Sequence, residues 1–132
     1  MSDQGMTTIA LGVAKEHVYN VCQGGHVITL VRSSTKDEFG EGLSEIIQEL
    51  HSHPCRPAPF DREIVGKISW AENVDYIFYV ALKEVDELDL TLKKLKRFKK
   101  VRHENIEYEI KYIEYYSSFL NSFLYVIIGG AK

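Results

Sequence analysis

Glu45-Ile46-Ile47-Gln48-Glu49-Leu50-His51-Ser52-His53-Pro54 is the stretch on which the fold turns. Read with the residues before it, it is a helix. Phe39, Leu43, Ile46, Ile47 and Leu50 fall at gaps of 4, 3, 1 and 3, one face of a 3.6-residue period. Ser33-Ser34-Thr35 offers an N-cap, with Asp37 and Glu38 in the first turn. Read alone, residues 45–51 also suit a strand. The two readings place the histidines differently. On a strand, His51 and His53 point the same way, because side chains alternate. In the last turn of a helix their rings diverge by about 200°.

The residues that follow are dense in donors and prolines. All three prolines lie at 54, 57 and 59, and Asp61 and Glu63 come soon after. Asp61 also serves as an N-cap for a short helix bearing Ile64, Val65 and Ile68.

Upstream, Thr7 to Val13 reads as a strand. Glu16 to Cys22 and His26 to Arg32 read as a hairpin joined through Gln23-Gly24-Gly25. Downstream, Val74 to Leu82 is a strand rich in Tyr, Val and Ile. Asp86 to Lys100 is a helix carrying Leu88, Leu92, Leu95 and Phe98 on one side. Ile106 to Tyr112 alternates apolar and charged residues, the pattern of a strand with one wet face. Phe119 to Ile128 is a buried strand, entered through a turn at Asn121-Ser122 and ended by Gly129-Gly130. The expected fold is α+β: a mixed sheet with an N-terminal β-hairpin and three helices, in one domain over residues 1–132.

Composition narrows the function classes. Hydrophobic residues make up 45% and charged residues 27%, which supports a packed core. A net charge of −3 does not suit a chain that coats nucleic acid or an anionic membrane with its whole surface. Cys22 and Cys55 are too few for a disulfide scaffold, so a reducing, cytoplasmic setting is expected. Met1 to Thr8 carries Asp3 and no basic region followed by an apolar run, so a secretory signal is not expected, and the longest apolar run, Phe123 to Ile128, is far short of a membrane span.

A divalent metal needs several donors held at about 2 Å. His-x-His on an extended segment supplies two, and a carboxylate from the next helix start supplies a third. An open fourth position then holds a water, and a further glutamate takes its proton. At this point the sequence resembles the JAMM (MPN-type) zinc metalloproteases. His51-Ser52-His53-Pro54 matches the central element of that family, and Pro59-Phe60-Asp61-Arg62-Glu63-Ile64 looks like a shortened form of its loop and helix start. The resemblance implies zinc held by His51, His53 and either Asp61 or Glu63, with Glu16 as the acid/base. It implies hydrolysis of peptide or isopeptide bonds, with a ubiquitin-like or peptide substrate, or an inactive relative of such an enzyme. Phe60 stands where the family has a serine that supports the oxyanion.

A second class is a non-enzymatic interaction module. Lys93, Lys94, Lys96, Arg97, Lys99, Lys100 and Arg102 interleave with Leu95, Phe98 and Val101. On a helix, Lys93, Lys96, Arg97 and Lys100 would form a cationic side for nucleic acid or an acidic partner. The bland alternative is a solvated face balanced by Glu84, Asp86, Glu87 and Asp89. The cluster Tyr108, Tyr112, Tyr115, Tyr116, Phe119 and Phe123 is core, or, where exposed, the contact of a homodimer. His17, His26 and His103 have no partner near in sequence and read as surface or strand residues.

Overall fold

The computed structural model describes residues 3–33, 44–57, 74–120 and 122–132, without the side chains of 3–8, 54–57 and 117–119. The elements are α1 (Asp3–Gln23), β1 (His26–Ser33), β2 (Glu45–Pro57), β3 (Tyr76–Ala81), α2 (Leu82–Glu87), α3 (Leu92–Leu95), β4 (Lys100–His103), β5 (Ile106–Phe119) and β6 (Ser122–Ala131). The six strands close into a barrel in the order β1-β2-β3-β6-β5-β4, and every pairing is antiparallel. The fold is thus sheet-dominated α+β. Its sheet is antiparallel rather than mixed, and closure leaves no free edge among the described strands.

The decisive stretch is extended. Residues 45–52 of β2 pair with β1 from Glu45↔Ser33 to Ser52↔His26. Leu50 and Ser52 are buried, while Ile47 is 55% exposed. The helical spacing of Ile46, Ile47 and Leu50 gave way to period-two alternation, because closing the barrel buries one face of β2 and wets the other. The expected helix start at 34–43 lies outside the described residues, as does the short helix over 61–68.

The N-terminus departs furthest from expectation. Residues 7–13 and 16–22, read as strands, belong to α1. Leu11, Ala14, Val18 and Cys22 recur at gaps of 3, 4 and 4, and Val18 and Cys22 are buried against Ala81 of β3, with Leu124 and Tyr125 of β6 alongside. This packing outweighs the strand preference of the β-branched residues. Gln23-Gly24-Gly25 is therefore a helix-to-strand junction, not a hairpin turn. Gly24 N–H donates to Asn20 O and Gly25 N–H to Cys22 O, closing the helix. A Cβ on Gly25 would lie 2.1 Å from the Ser52 carbonyl oxygen, so the junction can press against β2 only with glycine there.

The helix expected over 86–100 is also broken. Asp89 has φ 54°, which ends the helical path after α2. Thr91 Oγ1 accepts from Lys94 N–H and starts α3 afresh. Three of the four expected apolar positions, Leu92, Leu95 and Phe98, still pack onto the barrel core, while Leu88 is 46% exposed. Tyr76–Ala81 forms the expected buried strand, and Ile106–Phe119 and Ser122–Ala131 form the last hairpin. Gly129 and Gly130 do not end the fold; they pair within β6. A Cβ on Gly130 would meet Tyr108 Cβ at 2.8 Å.

The interior holds Ile28, Leu30, Leu50, Phe78, Val80, Val101, Tyr108, Val126 and Ile128. Tyr76, Phe78 and Tyr108 touch one another there, with ring centroids 5.3 to 6.2 Å apart. The outer face of β3, β5 and β6 carries a second cluster of Ile77, Tyr79 and Ile127 with Tyr112, Tyr116 and Tyr125. Tyr115 and Phe123 stack on each other and are 37% and 44% exposed.

Candidate metal centre

Barrel closure brings together two histidines that stand 77 residues apart in the chain. His26 opens β1 and His103 ends β4. Both follow the inward parity of their strands, His26 that of Ile28 and Leu30, His103 that of Val101. His26 Nδ1 and His103 Nε2 are 3.0 Å apart, with ring centroids at 4.9 Å. Glu104, the next residue after β4, reaches both. Its Oε1 lies 3.7 Å from His26 Nδ1 and 3.8 Å from His103 Nε2.

The turn accounts for Glu104's position. Glu104 and Asn105 have φ of 51° and 66°, the left-handed pair of a two-residue hairpin loop between β4 and β5. Asn tolerates that region well, and Glu less so. His103 is 8% exposed, and its ring meets Phe78 edge-on at 5.8 Å. Burial pushes its pKa below the ordinary imidazole value; His26 adds to this and Glu104 opposes it. A neutral imidazole is the form that donates a lone pair to a metal.

The donor spacing suits a transition metal. A circle through three points separated by 3.0, 3.7 and 3.8 Å has a radius of about 2 Å, the usual zinc–nitrogen and zinc–oxygen distance. Two imidazoles and one carboxylate form the mixed nitrogen and oxygen set that borderline metals prefer. Glu104 is 69% exposed, so the solvent side of the trio remains open to a further ligand. Among the described residues, no other group of three or more His, Cys, Asp or Glu side chains comes as close together.

The residues singled out by sequence are distributed otherwise. His51 and His53 both lie on the outer face of β2, since Leu50 and Ser52 between and beside them are buried. This is the extended placement on which the His-x-His reading depended. His51 Nδ1 is 2.7 Å from Glu84 Oε1, and its backbone N–H donates to Glu84 Oε2 at 3.0 Å. Gln23 Nε2 also donates to this carboxylate, at 3.4 Å. Glu84 is 7% exposed, so its charge is met almost wholly by these protein donors. His53 sets its ring edge-on to Tyr79. Among the described residues, no third donor joins the two histidines. Asp61 and Glu63 lie outside the described residues. Glu16 sits on α1, where its carboxylate pairs with Lys83 Nζ.

The cationic segment is not one helix face. Lys93 lies on α3, Lys96 and Arg97 follow it, and Lys100 begins β4. Lys94 pairs with Asp89, Lys96 with Glu114, and Lys100 with Glu107. Arg102 bonds Glu45 and Glu107, each at 2.8 Å. Glu107's carboxyl is held below the usual range by Arg102 and Lys100.

Sequence reasoning missed His26 and His103 because nothing local links them. The available signal was parity: each is two residues along its strand from a buried aliphatic residue. No protein family, no curated protein and no solved structure matches the chain.

Proposed function

We propose that the protein binds a divalent transition metal, zinc being the first candidate, through His26, His103 and Glu104. The observation that carries this reading is the mutual spacing of the three donor atoms at 3.0, 3.7 and 3.8 Å. Burial of His103 supports it further, because a neutral imidazole binds metal without first losing a proton. Glu104, exposed on its turn, lets the ion enter and leave from solvent.

Calorimetric titration of the chelator-treated protein with zinc tests the reading. One site per chain is expected. Loss of either histidine should weaken binding by more than the roughly 10–100-fold that removal of an outer-shell partner costs. His51→Ala and His53→Ala should leave this site's affinity unchanged. Absence of binding, or binding that survives His103→Gln, contradicts the proposal.

The open position supports a second reading. Three protein donors with a free fourth site is the form of a catalytic rather than a closed structural zinc centre, which suits metal-assisted hydrolysis; a peptide or isopeptide substrate is implied only by the resemblance at His51-Ser52-His53-Pro54, with Glu16 as acid/base. Zinc-dependent cleavage of a ubiquitin-like isopeptide substrate, abolished in Glu104→Gln, would support it. A nucleic-acid or acidic-partner role for Lys93, Lys96, Arg97 and Lys100 has less support, because Lys96 and Lys100 already face carboxylates of β5. Salt-dependent binding to single- or double-stranded nucleic acid, lost on charge reversal at Lys93 and Arg97, would restore it.

A further inference from the structure

The six strands are not joined equally. Among the described residues, β1 pairs with β2 over eight residue pairs and β5 with β6 over nine. The β1–β4 seam that closes the barrel has only three: Thr29↔Arg102, Leu30↔Val101 and Val31↔Lys100. It is the shortest of the six, and β4 is the shortest strand. One end of the seam is extended by the Lys99 N–H donating to Val31 O at 3.0 Å. The register stops at Thr29↔Arg102 at the other end. His103 is the next residue on β4, and His26 lies three residues back on β1. The three donors therefore sit where the ladder runs out.

We propose that a metal ion held by His26, His103 and Glu104 clasps the β1–β4 seam, so that metal occupancy controls how readily the barrel opens there. The inference rests on the metal-binding reading above and adds what binding does. A hydrogen bond between two imidazoles is the direct link between the histidines of β1 and β4 at this end. A metal replaces it with coordinate bonds to both strands and to the turn that follows β4. Any opening that separates β1 from β4 then requires the ion to leave. Such an opening is suppressed in proportion to the ratio of free metal to its dissociation constant once the site is filled, about 100-fold when that ratio is 100. Openings elsewhere, such as fraying of the β5–β6 hairpin, do not break the site and are not suppressed.

Amide hydrogen exchange of the full chain, in chelator and in saturating zinc, separates the outcomes. Zinc binding is measured in parallel by calorimetry. The expected result is slowing of up to about 100-fold for amides in 27–31 and 99–103, with little change in 115–116 and 123–125, beside the β5–β6 turn, which exchange through local fraying. Glu104→Gln lies on an exposed turn and is expected to leave the fold intact while weakening the effect. It serves if a histidine variant fails to fold. Zinc binding that slows the amides beside the β5–β6 turn as much as those of the seam, or that slows none at the seam, overturns the clasp and leaves the metal-binding reading standing. Absence of zinc binding overturns both.

Discussion

Glu104 combines an uncommon backbone with an uncommon side-chain position. Its φ of 51° lies in the left-handed region, which costs a non-glycine residue on the order of 1 kcal/mol. Asparagine relieves that strain and withdraws the carboxylate, so Glu104→Asn is expected to raise the denaturation midpoint of the metal-free protein slightly while weakening zinc binding. Opposite movement of the two in a denaturation and titration pair would confirm that the site is held against local preference; parallel movement would contradict it. Cys22 presents the reverse case, a reactive group made inert. It is fully buried, its Sγ lies 3.9 Å from Tyr79 O, and burial pushes its thiol pKa up. The thiolate is the nucleophile. In a Cys55→Ser background, alkylation by iodoacetamide should therefore be slow in buffer and fast in denaturant. Fast labelling of the native protein would mean that α1 does not stay docked.

At the scale of elements, the junction between α1 and β1 carries the most stringent requirement. Gly25→Ala would drive a Cβ into the Ser52 carbonyl, a backbone atom that cannot rotate away. Overpacking of this kind costs roughly 1–3 kcal/mol or more, and urea denaturation should show it. Gly24→Ala meets its nearest neighbour at 3.7 Å and should cost much less. Equal effects would mean that the junction is looser than described. The same element shows what sequence could and could not disclose. The Gly-Gly pair was legible as a chain reversal, but two glycines mark a helix end as readily as a hairpin. Thr7, Ile9, Val13 and Val18 suggested strands through their branching, while the helical period of Leu11, Ala14, Val18 and Cys22 sat in the same residues. Strand positions such as Ile77, Phe78 and Val80 were legible because they are buried on both faces and read as continuous apolar runs. The 45–53 stretch was ambiguous because Ile46 and Leu50 fit both periods while Ile47 fits only the helical one, and only pairing with β1 decides between them.

The whole molecule supplies what no local pattern contains. His26 and His103 acquire each other only when β4 returns to β1 and closes the barrel. A site of this kind is invisible to motif reading, because its spacing is set by topology rather than by sequence distance. His51-Ser52-His53 was the visible pattern, yet its described partners are Glu84 and Tyr79. Because a ligand that binds only the folded chain stabilises it, zinc at 100 times its dissociation constant should add about 2.7 kcal/mol. For a domain of this size that is a rise of roughly 10 °C in Tm, reversed by a chelator and absent in His103→Gln. One metal is expected to sit between β1 and β4. Zinc K-edge X-ray absorption on the stoichiometric complex reads its ligands directly. Two imidazoles and light oxygen or nitrogen neighbours are expected at about 2.0–2.1 Å, with the imidazole signal reduced to one in His26→Ala and unchanged in His51→Ala. A sulfur shell at about 2.3 Å, or an imidazole signal lost with His51 instead of His26, would contradict it.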